Sequence, residues 1–95
     1  PLRGAVTGKK VLVLGAGMAG LAAAYELGKL GYDCTILEAR NRPGGRIWTI
    51  RPGAKETEIN GSLQTCRFDD GQFFNAGAMR IPHHHASVIK YCREL

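Results

Sequence analysis

The sequence predicts an α/β fold, built on a parallel β-α-β unit and continued by short antiparallel pieces. Three observations predict it. Lys10-Val11-Leu12-Val13-Leu14 is an unbroken apolar run, rich in β-branched residues and ended by Gly15. Met18–Leu30 is dominated by Ala, Leu, Tyr, Glu and Lys and is followed by Gly31. Asp33–Glu38 is a second β-like run. Strand, glycine turn, helix and strand within about thirty residues make a β-α-β unit.

Each element has its own reason. Residues 1–9 read as a polar, glycine-containing lead-in. A continuous apolar run as short as 10–14 suits a strand covered on both faces, as in a parallel sheet. The 18–30 segment is made mostly of good helix formers, and Gly31 fits the position just past a helix end. The 33–38 strand then lies parallel to the first through a right-handed crossover. Ala39–Arg46 is a loop of Arg, Asn, Pro and Gly, with a strand-like Ile47–Ile50 behind it. Arg51–Gly61 is polar, with turn signals at Pro52-Gly53 and Asn60-Gly61. Leu63–Phe68 and Gln72–Asn75 are expected to form a hairpin around Asp69-Asp70-Gly71. Ala86–Leu95 places Val88, Ile89, Cys92 and Leu95 at helical spacing.

Composition narrows the field. Hydrophobic residues are 44% and charged residues 22% of the 95, the balance of an ordinary globular chain and not of a disordered one. The longest apolar stretch, Leu21–Tyr25, is far short of the roughly 20 residues a membrane span needs. The 13 glycines are an excess, gathered in short motifs without a fixed period, which excludes collagen and repeat arrays. The net charge of +5 is scattered and carries no motif that reads nucleic acid. An anionic small ligand is the better use for Arg40, Arg42 and Arg46. Cys34, Cys66 and Cys92 are odd in number and lack metal-ligand spacing, so neither a disulfide framework nor a zinc site is expected. Consecutive side chains diverge, so His83-His84-His85 is not expected to bind a metal; one of them lining a channel is the lesser reading. No signal peptide is visible in a chain that starts at Pro1, which favours the cytoplasm, a secreted protein with its leader removed being the other reading.

Two motifs carry chemistry. Gly15-Ala16-Gly17-Met18-Ala19-Gly20 is a G-x-G-x-x-G between strand and helix. Its first glycine serves the tight turn, its second lets a pyrophosphate approach the backbone, and its third lets the helix pack closely on the sheet. The helix N-terminus adds free N–H groups and a positive dipole end. Glu38 stands 23 residues beyond Gly15, at the end of the second strand, where a carboxylate would bind ribose hydroxyls. The second motif is Glu38-Ala39-Arg40-Asn41-Arg42-Pro43-Gly44-Gly45-Arg46. Gly-Gly lets backbone N–H groups face an anion, and Arg46 adds a charge-assisted hydrogen bond. A nicotinamide module does not need this second loop, whereas a cofactor extended along the chain would use it.

The combination of Gly15–Gly20, Glu38-Ala39 and Gly44-Gly45-Arg46 resembles the flavin-containing amine oxidase superfamily, and the resemblance covers nearly the whole chain. Pro43 departs from the branched apolar residue usual before the glycine pair and removes one N–H donor. Gly77-Ala78-Met79-Arg80-Ile81-Pro82 is similar to the segment that passes close to the isoalloxazine in flavin L-amino acid oxidases and amino-acid monooxygenases, the bacterial-type oxidases above all. There the arginine pairs with the substrate α-carboxylate, which suits a planar fork that keeps its charge.

The resemblance implies a Rossmann-like, FAD-binding β-α-β unit plus part of an α+β flavin amine oxidase fold. It divides the chain into a lead-in at 1–9, an FAD-binding segment at 10–82 and the start of a helical, substrate-side region at 83–95, in an incomplete chain. FAD contacts are implied for Gly15, Gly17, Met18, Ala19, Gly20, Glu38, Ala39, Arg40, Gly44, Gly45, Arg46, Gly77, Ala78, Met79 and Arg80, and Arg80 also takes the substrate. The implied reaction is hydride transfer from Cα of an L-amino acid to the flavin. The imino acid hydrolyses to a 2-oxo acid and ammonia, and dioxygen is reduced to hydrogen peroxide. Partners are then the L-amino acid, dioxygen, the remainder of the same enzyme and a second copy in a homodimer, with no catalytic base within this segment. A flavin amine or polyamine oxidase, an amino-acid 2-monooxygenase, an NAD-dependent dehydrogenase and a non-catalytic nucleotide-binding module are the alternatives.

Overall fold

A computed structural model describes residues 8–95; of the expected lead-in, residues 1–7 lie outside the described residues. The chain forms two compact units, one reaching Thr49 and the other Ile50–Leu95.

In the first unit β1 (Lys10–Leu14) is followed by α1 (Met18–Lys29) and β2 (Asp33–Leu37). β1 and β2 pair in parallel, Lys10 opposite Asp33 through to Leu14 opposite Leu37. α1 packs on both strands. Burial alternates along each strand, with Val11, Val13, Cys34 and Ile36 half-buried. Val13 lies beneath the start of α1, where its Cγ1 is 3.3 Å from the position of a Cβ on Gly20. Covering about half of a Val or Ile side chain contributes on the order of 1 kcal/mol. The opposite face is open among the described residues, with Leu12 58%, Leu14 78% and Leu37 53% exposed. The expectation of a strand covered on both faces is therefore met on one face only.

α1 ends as its sequence predicts. The Gly31 N–H donates to the Gly28 carbonyl at 2.9 Å and the Tyr32 N–H to the Leu27 carbonyl at 3.2 Å. These two bonds make a Schellman motif with Gly31 at the left-handed position. In the last turn Lys29 Nζ pairs with Glu26 Oε1 at 2.7 Å and stands 4.4 Å from the centre of the Tyr25 ring. β3 (Trp48–Ile50) runs across the junction of the units, one residue shorter than the strand-like run suggested.

In the second unit β4 (Lys55–Thr57) pairs antiparallel with β5 (Leu63–Thr65), Lys55 opposite Thr65. This corrects the hairpin expected between Leu63–Phe68 and Gln72–Asn75. The Asp69–Gln72 turn is present, with the Gln72 N–H donating to the Asp69 carbonyl at 3.1 Å, but β5 takes β4 as its partner. The reason is the Asn60-Gly61 turn. Asn60 Oδ1 accepts from the Ser62 N–H at 2.8 Å, and the Glu58 N–H donates to the Ser62 carbonyl at 2.9 Å, which closes the loop locally. β6 (Phe74–Ala76) leads into the Gly77–Pro82 segment, and α2 (Ala86–Glu94) closes the chain. On α2 the half-buried residues are Val88, Ile89 and Tyr91, whereas Cys92 and Leu95 of the expected stripe are exposed. No helix among the described residues is long and apolar enough to cross a membrane.

Candidate functional site

The β1–α1 turn, the end of β2 and the glycine doublet meet at Ala16. The parallel ladder continues one step past the strands, since the Gly15 N–H donates to the Leu37 carbonyl at 2.7 Å. That step brings Glu38 beside the turn. Ala16 is 6% exposed, the buried residue of the described core. Its N–H donates to Glu38 Oε2 at 2.7 Å, and its carbonyl accepts the Gly44 N–H at 2.7 Å. Both main-chain groups of Ala16 are thus spent on joining three segments, as burial of polar backbone requires.

Glu38 is held by backbone on both oxygens. Oε1 accepts the Arg40 N–H at 2.9 Å while Oε2 accepts from Ala16. The Arg40 N–H foremost, then that of Ala16, holds the carboxyl below the usual carboxylate range against the opposing effect of desolvation. Glu38 therefore stays ionised and acceptor-only, and each oxygen keeps a second lone pair for a hydroxyl donor.

The helix end is open. Gly17 is the N-cap of α1 in extended conformation, with no side-chain cap. The first intrahelical bond runs from the Leu21 N–H to the Gly17 carbonyl at 2.9 Å. The N–H groups of Met18, Ala19 and Gly20 are left at the helix mouth, where an anion is stabilised. A Cβ on Gly17 would meet nothing within 4 Å. At Gly20 the opposite holds: a Cβ would run into the Gly15 carbonyl oxygen and come 3.1 Å from its carbon. Gly20 is thus the close contact of α1 with the turn and β1, whereas Gly17 borders free space.

The doublet lies against this turn. Gly44 has φ +97°, and a Cβ there would lie 2.7 Å from the Ile47 carbonyl oxygen. Gly45 has φ +58°, and a Cβ there would stand 3.4 Å from Gly17 Cα. Because Gly44 gives its N–H to Ala16, Gly45 is the member of the pair whose N–H is not committed among the described residues. Arg42 Nη1 donates to the Gly45 carbonyl at 2.9 Å, and its guanidinium carbon lies 4.4 Å from the centre of the Trp48 ring. Ala39, Arg40 and Arg46 are exposed beside the loop.

A negatively charged dinucleotide fits these groups: free helix N–H donors, an unfilled space at Gly17, exposed cationic side chains and an ionised carboxylate with spare lone pairs. Gly77, Ala78, Met79 and Arg80 belong to the second unit, after β6. Gly77 has φ +92°, Met79 is 79% exposed, and the Arg80 guanidinium has no ion pair or hydrogen bond among the described residues. Among those residues no group of three or more His, Cys, Asp or Glu is arranged to hold a metal. The imidazoles of His83, His84 and His85 stand edge to face, at centroid distances of 5.5 and 4.8 Å.

Sequence reasoning did not single out the backbone of Ala16 or the Arg42–Trp48 pair. The x of the G-x-G was the signal for the first. An arginine two residues before a glycine doublet, with an aromatic residue just beyond, was the signal for the second.

The sequence profile of the family described as flavin containing amine oxidoreductase matches residues 18–95. The flavin-dependent L-tryptophan oxidase RebO of Lentzea aerocolonigenes is 44% identical over 87 residues, 92% of this chain and 16% of that protein. The L-amino-acid oxidases of Notechis scutatus scutatus and Pseudechis australis are 43% and 41% identical over 86 residues, 90% of this chain and 14% of each. The chain thus spans about one-seventh of the length of the relatives it matches. With its profile match and these identities, the chain belongs to the flavin containing amine oxidoreductase family and is L-amino acid oxidase-like.

Proposed function

We infer that this chain is the FAD-binding part of an enzyme that oxidatively deaminates L-amino acids. The observation that carries the reading is the junction at Ala16, where the G-x-G turn, the Glu38 carboxylate and the glycine doublet are joined by two hydrogen bonds of 2.7 Å. The N–H groups of Met18, Ala19 and Gly20 and that of Gly45 would hold the pyrophosphate, with Arg40 and Arg46 adding charge. Glu38 would accept the hydroxyls of the adenosine ribose. Residues 10–82 form the FAD-binding segment, with Gly77–Arg80 following the flavin end, and the region from 83 begins the substrate side.

When bound, the flavin supplies the two-electron oxidation of the Cα–N bond and returns the electrons to dioxygen. What this chain adds is orientation. Arg80 carries a fixed positive charge and a bidentate fork, so it fixes an α-carboxylate in one pose and presents the substrate Cα–H in a constant direction. The exposed face of Leu12, Leu14 and Leu37 is where the rest of such a domain would pack, since parallel sheets are covered on both faces.

The test is substitution of Arg80 in the intact protein. For Arg80→Met, kcat/KM for an L-amino acid should fall by about 30-fold or more, the loss expected when the cation that would pair with the substrate carboxylate in the bound complex is removed. Turnover of the corresponding decarboxylated amine should be unchanged or improved. Equal turnover of the L-amino acid by both forms would remove Arg80 from the site.

A further inference from the structure

We propose that Arg42 is a positioning residue: with Trp48 it clamps the glycine doublet in the one shape that completes the anion cradle beside Gly17. The proposal rests on the FAD-binding reading above and gives that site a part which no cofactor contact of the chain supplies.

The doublet is difficult to hold. Gly44 and Gly45 both lie at positive φ, where a two-glycine stretch has many alternatives in the unfolded and loosened states. Its amino end is fixed by two bonds at Gly44: the N–H donates to the Ala16 carbonyl at 2.7 Å and the carbonyl accepts from the Ile47 N–H at 3.0 Å. Its carboxyl end is fixed by the Arg42 fork, which takes the Gly45 carbonyl at 2.9 Å. With that carbonyl held, the peptide plane following Gly45 cannot flip, and Gly45 stays against Gly17. Arg42 is itself kept in place by the Trp48 face at 4.4 Å, and its planar guanidinium can lie on the ring while still donating an N–H to the Gly45 carbonyl, which a Lys ammonium does less well. Arg42 is half-buried whereas Arg40 and Arg46 are exposed, which suits an internal strut flanked by two side chains free to reach an anion.

The experiment uses the intact protein, stripped of FAD and titrated with FAD while flavin fluorescence is followed, for wild type, Arg42→Lys, Trp48→Leu, Trp48→Phe and the Arg42→Lys/Trp48→Leu double variant. Thermal unfolding of each apoprotein and hydrogen exchange of peptides covering 39–48 are measured alongside. A clamp predicts that Arg42→Lys and Trp48→Leu each raise the Kd for FAD roughly tenfold. The double variant should be hardly worse than either single one, because the two residues act as a unit. Trp48→Phe, which keeps an aromatic face, should retain affinity. Exchange at 39–48 should quicken in the two weakened variants while Tm stays within a few degrees.

A direct contact between Arg42 and the phosphates predicts another pattern, in which Lys substitutes well and Trp48→Leu has no effect; that pattern overturns the clamp. Unchanged exchange at 39–48 in Arg42→Lys and Trp48→Leu overturns it too. A wild-type protein that does not take up FAD contradicts the cofactor reading instead, and the exchange data then still decide whether the clamp exists. Should Trp48→Leu fail to fold, the contrast between Arg42→Lys and Trp48→Phe carries the test.

Discussion

A single methyl group, added in turn at Gly20, Gly28 and Gly17, separates packing from ligand approach within one helix and its cap. At Gly20 the new Cβ would run into the Gly15 carbonyl oxygen, with the carbon at 3.1 Å and Val13 Cγ1 at 3.3 Å. The obstacle is mostly backbone, so no side-chain rotation relieves it, and α1 must lift off β1. Overpacking of this kind costs about 1–3 kcal/mol and more where the backbone has to move. We take about 3 kcal/mol for Gly20→Ala, which lowers Tm by on the order of 10 °C in a domain larger than this chain.

Gly28 is the internal control. It sits in the last turns of α1 with nothing within 4 Å of its Cβ position, so Gly28→Ala should stabilise by about 0.4–1 kcal/mol through reduced freedom of the unfolded chain. Gly17→Ala is the functional arm. Its backbone is extended (φ −79°, ψ −179°) and its Cβ position is open, so alanine fits without strain. The N-cap preference for Gly over Ala and the gain from a stiffer unfolded chain nearly cancel, leaving the stability within about 1 kcal/mol of wild type. The methyl group then stands in the space a pyrophosphate would take, and the Kd for FAD should rise by at least about tenfold. The assay is thermal unfolding and FAD titration of the three variants of the intact protein. Wild-type stability for Gly20→Ala would refute the packing argument. Wild-type FAD affinity for Gly17→Ala would refute the cradle.

Further consequences concern the rest of the Ala16 junction. Glu38 is depressed in the folded state by backbone donors, so its contribution to stability is present above the unfolded carboxylate value near 4.5 and is lost as pH falls through the lower folded value. Glu38→Gln should therefore flatten the acid limb of the Tm–pH curve below about pH 4.5 and weaken FAD at neutral pH; parallel curves for both proteins would contradict this. Gly44→Ala places a Cβ 2.7 Å from the Ile47 carbonyl oxygen at φ +97°, and a loss of about 1–3 kcal/mol in urea unfolding is expected, accompanied by weaker FAD binding.

The first unit was largely legible because its signals are local and redundant. The Val11–Leu14 run, the Gly31 C′ position and the acid after β2 each have one structural reading, and the parallel register follows once the helix length is set. The second unit was less so. Lys55-Glu56-Thr57 has neither alternation nor apolar character, since β4 and β5 are exposed throughout, so nothing in side-chain pattern pointed to Lys55–Thr57 as the partner of β5. What selects it is the Asn60 side chain, whose Oδ1 accepts from the Ser62 N–H and closes the turn that hands β5 to β4, although the Asp69-Asp70-Gly71 turn forms as well. The same limit applied at the site. Residue types announced Glu38 and the glycines, but a buried alanine whose N–H and carbonyl join three segments leaves no trace in side-chain chemistry.

The most direct measurement of the central claim is an anaerobic absorption spectrum of the intact protein before and after a mixture of L-amino acids. Flavin bands that bleach with L-amino acids, return on admission of air and do not bleach with simple amines are the predicted result. A protein that stays colourless even after reconstitution with FAD would contradict the cofactor site at Ala16, and flavin bands that bleach only with simple amines would contradict the role assigned to Arg80.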